Sequence, residues 1–361
     1  MTAPPHVFVI AEAGVNHNGS LDTARKLVEA AYAAGADAVK FQTFQAAELV
    51  SAAAPLAEYQ ARATGGAESQ FDMLRKLELS REAHTALSRH CTALGIEFLS
   101  TPFDEESLGF LVEEIGVRCI KLGSGEITNA PLLVRAARFG RPILLSTGMS
   151  TLDEVEQALE ALAFGYMSRD ENPSLADLKG AFANPAAQAL LKERVTLLHC
   201  TTEYPAPFEE VNLRAMQTLR RAFGLAVGLS DHTAGIAVPI AAAALQAVVI
   251  EKHFTLDRRL PGPDHKASLE PDELRAMIRG VREIEQALGV EEKAPTPSER
   301  KNRAVARRSL VAARDIRAGE KFSANNLAVK RPGTGISPRF YWDWLGKIAD
   351  RDYCKDEVIF R

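Results

Sequence analysis

Apolar residues gather in eight short runs over the first 255 residues: Val7 to Ala13, Asp37 to Phe44, Ile96 to Phe103, Arg118 to Glu126, Pro142 to Met149, Arg194 to Thr201, Leu225 to His232 and Ala247 to Thr255. The runs are apolar almost throughout, as in Pro142-Ile143-Leu144-Leu145, which is the pattern of parallel strands buried on both faces. Between most of them apolar positions recur at helical spacing. After the first run, Ser20 can cap a helix whose Leu21, Ala24, Leu27, Val28 and Ala31 share one face, and Gly35 is placed to end it in the left-handed conformation. Thr151-Leu152-Asp153-Glu154 opens another helix with capping-box spacing. Strand and helix alternating eight times predict an α/β fold, a (β/α)8 barrel.

Two intervals between the runs are long. The segment Gln45 to Leu79 follows the second strand, so it rises from the carboxyl face of the barrel and is expected to act as a lid or specificity loop. The segment Gly165 to Glu193 follows the fifth helix and returns across the opposite face, which predicts a structural or oligomeric role. Glu270-Pro271-Asp272-Glu273 announces the last barrel helix, with Pro in its first turn and acids near the positive end of its dipole. The barrel domain is thus read as 1–289, the Pro-containing polar stretch 290–303 as a linker, and 304–361, with short β runs and tight turns, as a small second domain.

The 43 Lys and Arg nearly balance the 47 Asp and Glu among 361 residues, leaving a formal charge of -4 without the basic face that nucleic-acid binding requires. No apolar run reaches the ~18 residues of a membrane span. Cys91, Cys119, Cys200 and Cys354 are scattered without a CxxC pair, which excludes a disulfide framework or structural zinc. The expectation is a cytoplasmic protein with reduced thiols and no nucleic-acid or membrane partner.

Polar residues stand at nearly every strand end: Glu12, Lys40 with Gln42, Thr101, Lys121 with Ser124 and Glu126, Ser146, Glu203 with Tyr204, Ser230 with His232, and Glu251 with His253. In a barrel they converge on one mouth. Lys40, Lys121 and the hydroxyls of Thr101, Ser124, Ser146 and Ser230 suit a phosphate or carboxylate, and the Gly123-Ser124-Gly125 turn lets backbone amides approach it. The same two lysines raise a Schiff-base aldolase as a rival, although so many hydroxyls favour anion binding. His232 and His253 end neighbouring strands and can share a divalent metal, with Asp264 as a further oxygen donor; His199, inside its strand, reads as structural. Glu12 and Glu126 are the acid/base candidates, the alternative being ion pairs with Lys40 or Lys121. Together these groups describe carbon–carbon bond formation between a phosphorylated enol and an aldehyde.

At these residues the sequence resembles the sialic acid synthases, phosphoenolpyruvate-dependent enzymes that make N-acetylneuraminate and related nonulosonates. The resemblance runs through the segment from Ile10 to Gly19, Val39-Lys40-Phe41-Gln42-Thr43, Lys121-Leu122-Gly123-Ser124-Gly125-Glu126, the segment from His199 to Pro207, Gly228-Leu229-Ser230-Asp231-His232-Thr233 and Glu251-Lys252-His253. Val329-Lys330-Arg331-Pro332-Gly333-Thr334-Gly335-Ile336 is similar to that family's antifreeze-like (SAF, β-clip) domain. The resemblance implies that Lys40, Thr101, Lys121, Ser124, Ser146 and Ser230 hold phosphoenolpyruvate, that His232 and His253 hold Mn2+ or Mg2+, and that Gln42, Tyr204 and Arg331 meet an N-acetylmannosamine-type sugar. It implies catalytic roles for Glu12 and Glu126 and a domain-swapped homodimer in which the small domain caps the partner's barrel. Thr202 departs from the asparagine that some members carry. Glu58-Tyr59-Gln60, Glu68-Ser69-Gln70 and Lys76-Leu77-Glu78-Leu79-Ser80 resemble the branch making N-acetylneuraminate or legionaminate, not the pseudaminate branch. The expected activity is N-acetylneuraminate synthase. The alternative is N,N'-diacetyllegionaminate synthase acting on 2,4-diacetamido-2,4,6-trideoxymannose, and a non-catalytic carbohydrate-binding protein stands behind both.

Overall fold

The computed structural model describes residues 6–51, 54–56 and 69–360. Eight parallel strands, β1 (Phe8–Gly14), β2 (Ala38–Thr43), β3 (Glu97–Pro102), β4 (Ile120–Leu122), β5 (Ile143–Ser146), β6 (Val195–His199), β7 (Ala226–Asp231) and β8 (Val249–His253), pair in the order 3-2-1-8-7-6-5-4. β3 and β4 lie against each other and close the ring. The helices outside it are α1 (Leu21–Ala34), α2 (Gln70–Leu77), α3 (Arg81–Leu94), α4 (Glu105–Gly109, running on into a π-helical turn), α5 (Ala130–Arg138), α6 (Leu152–Met167), α7 (Leu175–Phe182), α8 (Pro185–Arg194), α9 (Ala215–Phe223), α10 (Ala237–Ala244) and α11 (Pro271–Leu288). Their ends follow from local chemistry. Ser20 accepts from the Thr23 N–H, Gly35 closes α1 at φ 87°, and Thr151 forms a reciprocal box with Glu154 at the start of α6.

Two hydrophobic layers result. The larger packs the outer faces of the strands against the helices, with Val9, Val39, Leu145, Val227 and Ile250 meeting Leu27, Leu132, Leu162 and Met277. The smaller fills the ring itself: Ile10, Ala38, Leu99, Leu144, Leu198 and Val249 form a buried plug. The fourth strand is shorter than the apolar run from Arg118 to Glu126 suggests, because a 3-10 turn at Ser124–Glu126 follows it, after Gly123. The inserted segment after α6 folds into α7 and α8.

Contacts divide the chain at Gly289, and Val290–Arg361 forms a unit of its own. The stretch read as a linker, 290–303, is helical over its second half. Helix α12 (Pro297–Ala306) occupies it, because Pro297 sits at the first helical position and Thr296 and Glu299 close a capping box. The unit continues with an antiparallel pair, β9 (Ser309–Ala312) and β10 (Leu327–Lys330), around a core of Leu310, Ile316, Phe322, Leu327, Ile336, Tyr353 and Ile359. No helix among the described residues is long and apolar enough to cross a membrane.

After β1 the chain turns through Asn16-His17-Asn18-Gly19. His17 is fully buried, its Nδ1 accepts the Gly19 N–H at 3.0 Å, and desolvation, aided by His84 and His265, lowers its pKa from 6.5 to about 3. A folded pKa below the unfolded one means that neutral His17 stabilises the fold above pH 6.5 and that this contribution is lost as pH falls toward 3. His17→Gln is expected to flatten the acid-side slope of unfolding free energy by about 1.4 kcal/mol per pH unit in denaturant melts; an unaltered slope would contradict a neutral, buried His17.

Candidate active site

Side chains alternate between the two faces of a strand, and on the inward face of the barrel strands the residue type changes from apolar to polar toward the carboxyl end. Ile10 is followed by Glu12, Ala38 by Lys40 and Gln42, Leu99 by Thr101, Leu144 by Ser146, and Val249 by Glu251 and His253. Above the apolar plug these polar ends enclose a cavity of about 420 Å3. It is lined by Glu12, Lys40, Gln42, Thr101, Lys121, Ser124, Glu126, Ser146, Tyr204, Ser230, His232 and His253, all the site residues predicted in the barrel, together with Asp264. Arg331 is exposed in the second unit, and the cavity lining comes wholly from the first.

A buried charge network forms its floor. Lys40 Nζ lies 2.7 Å from Glu12 and 3.7 Å from Glu251 and donates to Thr101 Oγ1 at 2.8 Å. Lys121 Nζ is 3.5 Å from Glu251, which also accepts from Ser230 Oγ at 2.8 Å. Burial pushes the Glu12 carboxyl up to about 7 against the pull of Lys40, so Glu12 can hold or release a proton near neutrality. Burial also works on Glu251, but Lys121, Lys40 and the Ser230 hydrogen bond overcome it and hold that carboxyl well below its usual range. Lys40 stays protonated because Glu12 and Glu251 outweigh its desolvation. Imine formation needs a neutral, weakly paired amine; Lys40 is held charged and suits an anion, whereas burial lowers Lys121 despite Glu251, so the Schiff-base reading rests on Lys121 alone. Ser146 Oγ is buried without a hydrogen-bond partner among the described residues, a donor left for a ligand. Glu126 forms no lysine pair among the described residues; its Oε2 accepts from Asn129 Nδ2 at 2.7 Å.

His232 and His253 come together with Tyr204. The imidazole centroids are 5.5 Å apart, and the Tyr204 ring lies 4.2 Å from His232 and 5.5 Å from His253. The Nδ1–H of His232 donates to Thr201 O at 2.6 Å, which leaves Nε2 with its lone pair. His253 Nδ1 is buried without a hydrogen bond among the described residues, 3.8 Å from Asp264 Oδ2. Desolvation lowers His232 to about 4 and His253 well below its usual value, so both rings are neutral at physiological pH. Burial alone raises Asp264 to about 6. Among the described residues no three His, Cys, Asp or Glu side chains cluster as ligands. Two neutral imidazoles with an orphaned ring nitrogen fit a divalent cation that takes its remaining ligands from water and substrate oxygens.

Two glycines allow this crowding. A Cβ on Gly14, at φ 51°, would stand 3.3 Å from Glu12 Oε1 and 3.5 Å from Gln42 Nε2. One on Gly148 would meet Thr202 Oγ1 at 2.3 Å and Ser124 Oγ at 2.8 Å, where the Gly148 N–H now donates to Ser124 Oγ at 3.0 Å. The segment expected to be a lid supplies α2, seated by Met73 and Leu77 on Val15 and Phe44. Leu49, Val50, Leu74 and Phe103 give the cavity an apolar wall, and Gln70 lines it too. The block Glu58-Tyr59-Gln60 and Glu68 lie outside the described residues.

The selection of site residues passed over Glu251, the carboxylate on which Lys40, Lys121 and Ser230 converge. Its signal was its place two residues before His253 on one strand face. It also passed over Cys200, whose Sγ lies 3.0 Å from Ser124 Oγ. Lys252 and Asp231, one residue off in each strand, point the other way into a buried 2.5 Å ion pair.

The NeuB family profile matches residues 27–293, and the SAF domain profile matches residues 307–360. The chain is 50% identical over 352 residues to an N,N'-diacetyllegionaminic acid synthase of Campylobacter jejuni, covering 98% of each. It is 47% identical over 331 residues to the N,N'-diacetyllegionaminic acid synthase of Legionella pneumophila, covering 92% of this chain and 87% of the other. Among solved structures, the N-acetylneuraminic acid synthetase of Leptospira borgpetersenii superposes with a TM-score of 0.66 at 31% identity, over 82% of this chain and 90% of that one.

Proposed function

The chain belongs to the NeuB family, and from that premise we propose that it condenses phosphoenolpyruvate with 2,4-diacetamido-2,4,6-trideoxymannose to give N,N'-diacetyllegionaminate and phosphate. The observation that carries this reading is the near full-length identity of 50% and 47% to two legionaminic acid synthases, against 31% to the neuraminic acid synthetase. It reverses the order of acceptors expected from sequence, where N-acetylmannosamine came first. The apolar cavity wall of Leu49, Val50, Leu74 and Phe103 supports it, because a 6-deoxy sugar presents a methyl group where N-acetylmannosamine presents a hydroxymethyl.

In this reading Lys40, Lys121, Thr101, Ser124, Ser146 and Ser230 bind the phosphate and carboxylate of phosphoenolpyruvate. The enol carbon attacks the sugar aldehyde, water adds to the resulting oxocarbenium carbon, and phosphate leaves by C–O cleavage. His232 and His253 would hold Mn2+ or Mg2+, which when bound supplies Lewis-acid polarisation of the aldehyde oxygen. Glu12, poised near neutrality beside Lys40, and Glu126, steadied by Asn129, manage the proton transfers. Gln42 and Tyr204 orient the sugar, and Arg331 of the partner subunit in a domain-swapped homodimer completes its contacts.

Steady-state rates on both sugars test the acceptor. The trideoxy sugar is expected to win by about a hundredfold in kcat/KM, the scale on which an enzyme pocket distinguishes a small apolar group. Preference for N-acetylmannosamine would overturn the reading. Leu74→Asn should cut the ratio about tenfold by making the wall polar.

A further inference from the structure

A second cavity, of about 810 Å3, opens between α4 and α5 and the segment that leads into α7, and it shares no lining residue with the catalytic cavity. Its apolar surface comes from Val134, Phe139, Leu175 and Leu178, and its charge from Arg135, Arg138 and Arg169 against Glu105 and Glu171. Arg135 is already spent on Glu105 at 2.7 Å. The other two are held differently. An Arg138 Nη donates to Asp170 O and an Arg169 Nη to Arg138 O, so each fork is fixed by a backbone carbonyl that leaves its charge unneutralised. A guanidinium carries five N–H donors, and each of these uses one. Arg138 Nε is moreover buried without a partner among the described residues, although a buried donor ordinarily finds one. Stitching the inserted segment to α5 would need no more than the two carbonyl bonds. It explains neither the idle donors nor the cavity beside them, whose size is that of a small-molecule site.

We infer that this cavity is a non-catalytic binding site for a small organic anion, with a phosphate or carboxylate head on Arg138 and Arg169 and an apolar or planar body against Phe139, Val134 and Leu178. Planar guanidinium forks recognise such heads with paired, charge-assisted hydrogen bonds. The site is built by the insertion that lies beyond the repeating strand-and-helix unit, and it depends on no assignment made for the barrel mouth.

Titration of the full chain with 8-anilinonaphthalene-1-sulfonate, an anion with an aromatic body, tests this by fluorescence. One saturable site is expected, displaced by inorganic phosphate and weakened at least about tenfold in the Arg138→Gln/Arg169→Gln double variant. Because those arginines also tie down backbone, Leu175→Glu provides a second variant. Leu175 is 76% exposed at the cavity, so a carboxylate there leaves the core untouched and should repel the probe equally. Unchanged affinity in both variants, or failure of phosphate to compete, would each overturn the assignment.

Discussion

Glu251→Gln is expected to lower kcat by about 10²- to 10³-fold and to cost about 3–5 kcal/mol of stability, as removal of one partner from a buried charge network does. Glu251 is 3% exposed and is the carboxylate that Lys40 and Lys121 share. Glutamine keeps the shape and can still take the Ser230 hydroxyl, but two lysines then face Glu12 alone, and Glu12 is the carboxyl that burial pushes toward its protonated form. The added positive charge does not weaken anion binding, so the KM for phosphoenolpyruvate should hold or fall while kcat collapses. That split separates loss of catalytic alignment from loss of affinity. Denaturant unfolding together with steady-state kinetics reads both quantities, and a variant of native stability and native kcat would refute the central place given to this residue.

His232→Ala should weaken Mn2+ binding to the substrate-free protein at least about a hundredfold, by paramagnetic resonance titration, and reduce turnover by about 10³-fold or more. The ring is one of two neutral imidazoles at the mouth, and its backbone bond to Thr201 O fixes which nitrogen faces the cavity. Its removal leaves His253 as the only imidazole among the cavity's lining residues. The barrel should survive, since the substitution removes the ring's hydrogen bonds with Thr201 O and Ser230 Oγ and its contacts with Tyr204 and His253 and leaves the strand ladder intact. Unaltered Mn2+ affinity in the variant, or full turnover of the wild type in EDTA, would remove the metal from the mechanism. Trapping of a pyruvate adduct with borohydride would revive the Schiff-base route in its place.

The barrel was legible because its strands are buried on both faces, which writes each one as a continuous apolar run, and because Ser20, Gly35, Thr151 and Pro271 mark helix ends by local chemistry. The mouth was legible because nearly every polar strand end projects to one place in this topology, Glu203 lining a different cavity. The ranking among those ends was not. Glu12 and Glu251 are both carboxylates two residues beyond an inward apolar residue, and only the distances to Lys40 and Lys121 show which one bridges both lysines. Helix α12 was hidden by its prolines, which weigh toward a linker in composition even though Thr296-Pro297-Ser298-Glu299 spells a capping box. On the proposed function the acceptor turns on a few contacts at the lid wall, where Leu74 and Leu49 are ordinary apolar residues by sequence and acquire meaning only from facing the cavity.

The plug of Ile10, Ala38, Leu99, Leu144, Leu198 and Val249 has a consequence for traffic. It stoppers the barrel from below, so among the described residues the vessel opens at the carboxyl end, and whatever lies deepest must arrive first and depart last. The floor of that vessel is the lysine-rich network, and its doorway is the apolar wall carried partly by α2. On the proposed function, an anion seated on the floor would be shut in by the sugar that follows it, so the architecture would set the order of entry before any step of bond making begins.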